Sequence, residues 1–421
     1  MPSSHEENAE PVGYLAKWIF PVGQAAIENG IVICEQGKIR EVGSRGDHSC
    51  STVFDFGEQA IVPGLVNANT HLEFSDLAQP LGNPTAGFTN WILDVIAYRK
   101  ANDTAPTAAL SDSSKDLAIE SGITESATAG VVAIGEIATN PWSFEAYQSA
   151  FESFAMRGVV FHEQLGNNPL EAFAKSNAIS AAVNRFDVRN WTAAISPHAP
   201  YSTALTLFQT LVAAASQSKT RVAIHLAETI EEIEFIETGA GPFSEMLKQL
   251  DIPFKRPSGV INVGDYLKTL AQTEALIVHG NYLNVEELEF IAQHDNLNVV
   301  FCPRTHAYFG HDEYPLRTML DLKINVAVGT DSRASNPDLD LFEELKQIAS
   351  TQNAVSAREI LRMGTQSGAR ALGLEKLLGT IEPEMSSQLC VVSHPDGIQS
   401  VQDLFEPDSV CQPIKAKLQE L

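Results

Sequence analysis

Three features predict an α/β fold, a (β/α)8 TIM barrel with a small β-sandwich domain formed by the N- and C-terminal segments. Short apolar, β-rich runs recur eight times, helical stretches separate them, and both flanks switch to hairpin-like strands around glycine turns. The runs cover 61–66, 130–137, 158–161, 192–195, 221–224, 275–278, 297–301 and 324–328. Intervals such as 202–219 and 286–294 carry helical patterns, as parallel strands joined by crossover helices require. Eight such units close into a barrel, with a doubly wound open sheet as the alternative. In the flanks, Ile31 to Cys34 precedes a Gln36-Gly37 turn, and Leu389 to Val392 follows Gly379. The expected organisation is a disordered N-terminus at 1–11, a small β domain from 12–60 plus 375–410, and a catalytic barrel over 61–374.

Composition narrows the function. Apolar residues make up 44% and charged residues 19% of the 421 positions, an ordinary globular balance. The net charge of −25 argues against nucleic acid, whose binding relies on clustered Lys and Arg. No apolar run is long enough to span a membrane, and the start of the chain is acidic rather than signal-like, so a cytoplasmic location is expected. The five cysteines (Cys34, Cys50, Cys302, Cys390, Cys411) lack paired spacing, which excludes a cysteine zinc site and a disulfide framework. A small-molecule substrate is the expected partner, and a homodimer remains open.

In this fold the C-terminal ends of the strands form the active-site mouth. Six of the eleven histidines (His71, His162, His198, His225, His279, His306) fall at predicted strand ends, with Glu136, Glu163, Arg304 and Asp331. Imidazoles with one carboxylate suit Zn²⁺ or another borderline divalent ion, so His71, His225 and Asp331 are candidate ligands. Glu228, three residues past His225, is placed to move protons without binding the ion. Glu73, His198, Arg304 and His306 are candidate substrate contacts.

The segments IVPGLVNANTHLEF (61–74), SPHAPYS (196–202), IHLAET (224–229), IVHGNYLNVEEL (277–288), VVFCPRTHAYFGH (299–311) and VGTDSRASNPDLDLFEEL (328–345) resemble the amidohydrolase superfamily, within it the metal-dependent deaminase and chlorohydrolase group. Phe88-Thr89-Asn90-Trp91, with Arg99 after it, further resembles the branch containing aminofutalosine deaminases, which makes Trp91 a candidate substrate contact. The resemblance implies a first-strand metal pair at Asn69 and His71, where the family has two histidines. It implies a fifth-strand ligand at His225 with catalytic Glu228, a water- or substrate-orienting His279, and Asp331 as ligand and base. With no lysine at the fourth-strand end it implies one divalent metal, Zn being expected and Fe or another ion open. The implied activity is hydrolysis of carbon–nitrogen, non-peptide bonds: deamination of a heterocyclic or nucleoside-like amine by metal-activated water. A catalytically impaired binding protein, because of Asn69, and a cyclic amide or imidazolone hydrolase are the alternatives.

Overall fold

The computed structural model describes residues 10–46, 50–103, 114–140, 144–254 and 261–418. Of the segment expected to be disordered, residues 1–9 lie outside the described residues. Five strands open the chain: β1 (Val12–Ile19), β2 (Ile27–Glu35), β3 (Lys38–Ser44), β4 (Thr52–Asp55) and β5 (Ala60–Pro63). Eight more follow: β6 (Leu65–Thr70), β7 (Val131–Ala138), β8 (Arg157–Gln164), β9 (Trp191–Pro197), β10 (Val222–Leu226), β11 (Ala275–His279), β12 (Leu297–Phe301) and β13 (Asn325–Val328). Two close the chain, β14 (Leu389–Ser393) and β15 (Val410–Pro413).

Strands β6 to β13 lie side by side in chain order, and a parallel bridge between Thr70 and Asp331 joins the last to the first. This is the (β/α)8 barrel. Strands β6, β7, β10, β11 and β12 are buried along their whole length, as expected where a sheet is covered on both faces. The connecting helices follow from sequence. The helix Val263–Leu270 buries Val263, Tyr266, Leu267 and Leu270, an i, i+3, i+4, i+7 stripe, and Asn262 with Asp265 forms a capping box at its start.

The remaining strands form a mixed sheet in the order β15-β14-β5-β1-β2-β3, with β4 on β1, so N- and C-terminal segments build it together. Its core includes Ile19, Val32, Ile39, Ile61, Ile381 and Val391. The run expected at 61–66 divides: 60–63 pairs with β14, and the barrel strand starts at Leu65. Pro63 cannot donate to a ladder, and at Gly64 a Cβ would lie 2.4 Å from the Val132 side chain and 2.8 Å from the Gln388 carbonyl. That pair of residues is where the chain leaves one sheet for the other.

Contacts divide the chain into two units: Met1–Asn67, Glu125–Ala133 and Asp340–Leu421 in one, Ala68–Thr124 and Ile134–Leu339 in the other. The candidate site falls wholly within the second. Among the described residues no helix is long and apolar enough to cross a membrane.

Candidate active site

At the ends of β10, β11 and β13 the backbone takes an unusual step. Ala227, His279 and Asp331 all have positive φ, at 55°, 70° and 56°. Non-glycine residues incur a steric cost there, so surrounding bonds must hold them. They do. The Glu232 carboxylate accepts from the backbone N–H groups of Ala227 (3.1 Å) and Glu228 (2.9 Å). The Tyr314 hydroxyl donates to the His279 carbonyl at 2.8 Å, and Asp331 N–H donates to the Asn69 carbonyl at 3.1 Å.

These steps aim side chains at one point. The His225 Nδ1 lies 3.0 Å from the His198 carbonyl, which can only accept, so Nδ1 carries the proton and Nε2 presents its lone pair to the cavity. The His71 Nε2 is 3.2 Å from His225 Nε2 and 3.5 Å from Asp331 Oδ1. Metal–nitrogen bonds of 2.0–2.1 Å in a tetrahedron put donors about 3.3 Å apart, so both contacts match edges of such a site. Among the described residues the donors approach in pairs, and no trio already encloses a metal-sized position. Burial, reinforced by neighbouring histidines, holds His71 well below the usual imidazole pKa and His225 at about 4. Both are therefore neutral, the form that ligates. In donor chemistry and in these two pairwise spacings the residues present suit a divalent ion.

Beside them, Glu228 Oε1 sits 3.5 Å from His279 Nε2. Burial, then the nearby Asp331 and Glu232 charges, push the Glu228 carboxyl well above its ordinary range. Burial likewise lowers His279. Burial thus favours the uncharged form of both partners. Burial raises Asp331 to about 6, while Ser335 Oγ donates to its Oδ2 at 3.2 Å.

A cavity of about 380 Å³ opens above this cluster. His71, His198, His225, Glu228, His279 and Asp331 line one part of it, and Phe74, Phe88, Trp91, Tyr201, Met246 and Leu250 are among the other lining residues. Trp91 is fixed by its indole N–H, which donates to the Ala334 carbonyl at 3.0 Å.

Other expected residues are placed elsewhere. Asn69 is fully buried, absent from the cavity wall, and its amide donates to Cys302 Sγ at 3.8 Å. Arg304 makes a two-pronged pair with Asp338 at 2.7 and 2.9 Å. His306 packs edge-on against Phe301 and Tyr314. Neither lines the cavity, because both sit on the helix Pro303–Phe309 that starts directly after β12. The Glu73 carboxylate is taken by Arg99 (2.6 Å) and Thr139 (2.7 Å) in a neighbouring compartment. His162 points the opposite way from Glu163 by strand alternation and lies between Phe144 and Phe186. Glu232 and the apolar wall apart from Trp91 escaped sequence reasoning. Glu232, three residues after the N-cap Thr229, carries a capping-box spacing that is readable in the sequence, but the wall residues come from separate segments, among them the helices Phe88–Asp103 and Pro242–Gln249.

The fold and donor set define a barrel hydrolase built for a divalent ion and a small-molecule substrate. The chain belongs to the amidohydrolase family, whose model matches residues 60–414, and it is a hydrolase acting on carbon–nitrogen bonds. It is 27% identical over 352 residues to an aminodeoxyfutalosine deaminase of a Nitratiruptor species, covering 82% of each chain. It is 28% identical to a 5-methylthioadenosine/S-adenosylhomocysteine deaminase of Pyrococcus furiosus, over 86% of this chain and 81% of that one. Its fold matches the crystal structure of Helicobacter pylori aminofutalosine deaminase in complex with methylthio-coformycin, with TM-score 0.77, 24% identity, and 94% and 95% coverage.

Proposed function

We propose that this chain is a hydrolytic deaminase of a heteroaromatic, nucleoside-like amine, and that His71, His225 and Asp331 hold one divalent ion, Zn²⁺ by preference. The observation that carries this is the geometry: Glu228 Oε1 lies 3.5 Å from His279 Nε2 beside the His71–His225–Asp331 cluster, in the wall of a largely apolar cavity. Three protein ligands suffice for a catalytic zinc site, so the displacement of Asn69 to Cys302 does not empty it. Both relatives are named as deaminases, one of aminodeoxyfutalosine and one of 5-methylthioadenosine and S-adenosylhomocysteine, which supports the same chemistry here.

When bound, the ion supplies the positive charge that brings the pKa of water toward neutrality. The residues do the rest. His279 accepts a hydrogen bond from the attacking water and orients it. Asp331 takes the proton that water releases as its oxygen adds to the amine-bearing carbon. Glu228 gives its proton to the adjacent ring nitrogen, so that carbon becomes tetrahedral without building up negative charge. The Asp331 proton then passes to the amino group, which leaves as ammonia, and Glu228 recovers its proton as the ring carbonyl forms. The apolar wall keeps bulk water from these charges and stacks against a flat ring.

The test is ammonia release from a panel of aminopurines, aminopyrimidines and cyclic amides by the metal-loaded protein. Ammonia from an aminopurine is expected. Ring opening of a cyclic amide without ammonia, or no turnover with stoichiometric metal bound, would contradict the reading.

A further inference from the structure

Beside the apolar cavity lies a second compartment of about 330 Å³, lined by Glu73, Arg99, Lys115, Thr139, Glu163 and Lys175 among others. Arg99, Leu165 and Lys175 line both spaces, so the two compartments adjoin. Most of the charge there is already committed. Glu73 is held by Arg99 and Thr139, with Lys115 at 3.9 Å. Lys115 also donates to the Thr139 carbonyl at 2.5 Å and its hydroxyl at 2.9 Å. Lys175 donates to the Leu165 carbonyl at 2.6 Å and pairs with Glu171 at 3.6 Å.

Glu163 is the exception. It is 2% exposed, and neither carboxylate oxygen receives a hydrogen bond among the described residues. His198 Nε2 stands 3.8 Å away, beyond hydrogen-bond distance. A buried carboxylate without donors is costly, and such groups are kept where something binds them. β8 alternation explains its direction: His162 faces the outer aromatic layer, so Glu163 faces inward.

We propose that Glu163 is a substrate-binding carboxylate, and that this compartment takes a hydrogen-bond-donating group, hydroxyl or ammonium, on the non-reacting part of the substrate. The inference rests on the deaminase reading above and adds what the rest of the substrate must carry.

The experiment compares three adenine derivatives that share the reacting ring: adenosine (hydroxyls), 5′-amino-5′-deoxyadenosine (ammonium) and 9-pentyladenine (hydrocarbon). Each is assayed with the wild-type protein and Glu163→Gln, reading kcat/KM for ammonia release. Hydrogen bonds to a charged group correspond to about 10- to 100-fold. The wild type should therefore prefer the hydroxyl and ammonium compounds by about that factor, and Glu163→Gln should lose most of the preference while changing 9-pentyladenine less than about twofold. Equal losses on all three, or none, would overturn the proposal. If no compound is deaminated, the wider panel above judges the deaminase reading separately. Calorimetric binding of the same three compounds then decides the subsite: a preference erased by Glu163→Gln supports it and its absence overturns it. The wild-type comparison alone keeps the test decisive if the variant does not fold.

Discussion

β10 and β12 are staves of the same length, five buried residues each, yet they deliver their following residues to opposite places. After β10 the chain takes a left-handed step at Ala227, pinned by Glu232, and Glu228 enters the cavity. After β12 it runs straight into the helix Pro303–Phe309, which carries Arg304 to Asp338 and His306 against Phe301 and Tyr314. A polar residue near a strand end is therefore not enough. At His225 an inward position within the strand brings the side chain to the mouth, and at His279 and Asp331 a residue in the left-handed region does.

The largest effect is expected on the β10 side, at Glu228. Glu228→Gln should lower kcat by about 10³-fold, within the range for a lost acid–base group, while bound metal stays unchanged in elemental analysis. Equal loss of metal would make Glu228 a ligand or a structural group.

His162 tests the outward side of a stave. Burial lowers its pKa to about 4, so the folded state favours the neutral ring. That stabilisation is complete above the unfolded value near 6.5 and is lost as pH falls toward 4, about 3 kcal/mol in total. His162→Phe should flatten the stability loss between pH 7 and pH 4 in urea titrations and leave kcat near wild type. An unchanged acid limb would show that His162 is not buried as described.

Glu232→Gln removes one acceptor from the two backbone bonds that hold the left-handed step. About a tenfold fall in kcat with KM nearly constant is expected in steady-state kinetics, because Glu228 is misplaced rather than removed. The smallest effect belongs to the outward helix: Arg304→Ala and His306→Ala should each change kcat/KM less than about threefold. A hundredfold loss in either would return that residue to the site. Loss of the partly buried Arg304–Asp338 pair should cost about 1 kcal/mol in stability.

Much of this was legible in the chain. The β-rich runs with helical intervals pointed to the barrel because parallel strands buried on both faces leave uninterrupted apolar stretches, and His71, His198, His225, Glu228, His279 and Asp331 all reach the cavity from their strand-end positions. Strand parity and the following backbone were not legible: His162 and Glu163 are adjacent letters that face opposite ways, and nothing local marks 303–309 as an immediate helix except Pro303. The fate of Asn69 was hidden too, since its amide turns to Cys302, 233 positions away. Of the apolar wall only Trp91 was singled out in the sequence; Phe74, Phe88, Tyr201, Met246 and Leu250 are ordinary core material until the fold brings them together.

If donors from three staves grip one cation, removing one of them must release it. Elemental analysis of the wild type, His225→Ala and Arg304→Ala after Zn²⁺ loading and gel filtration measures this directly. About one equivalent of metal is expected in the wild type and Arg304→Ala, and nearly none in His225→Ala. Equal metal in all three, or none in the wild type, would contradict a shared grip.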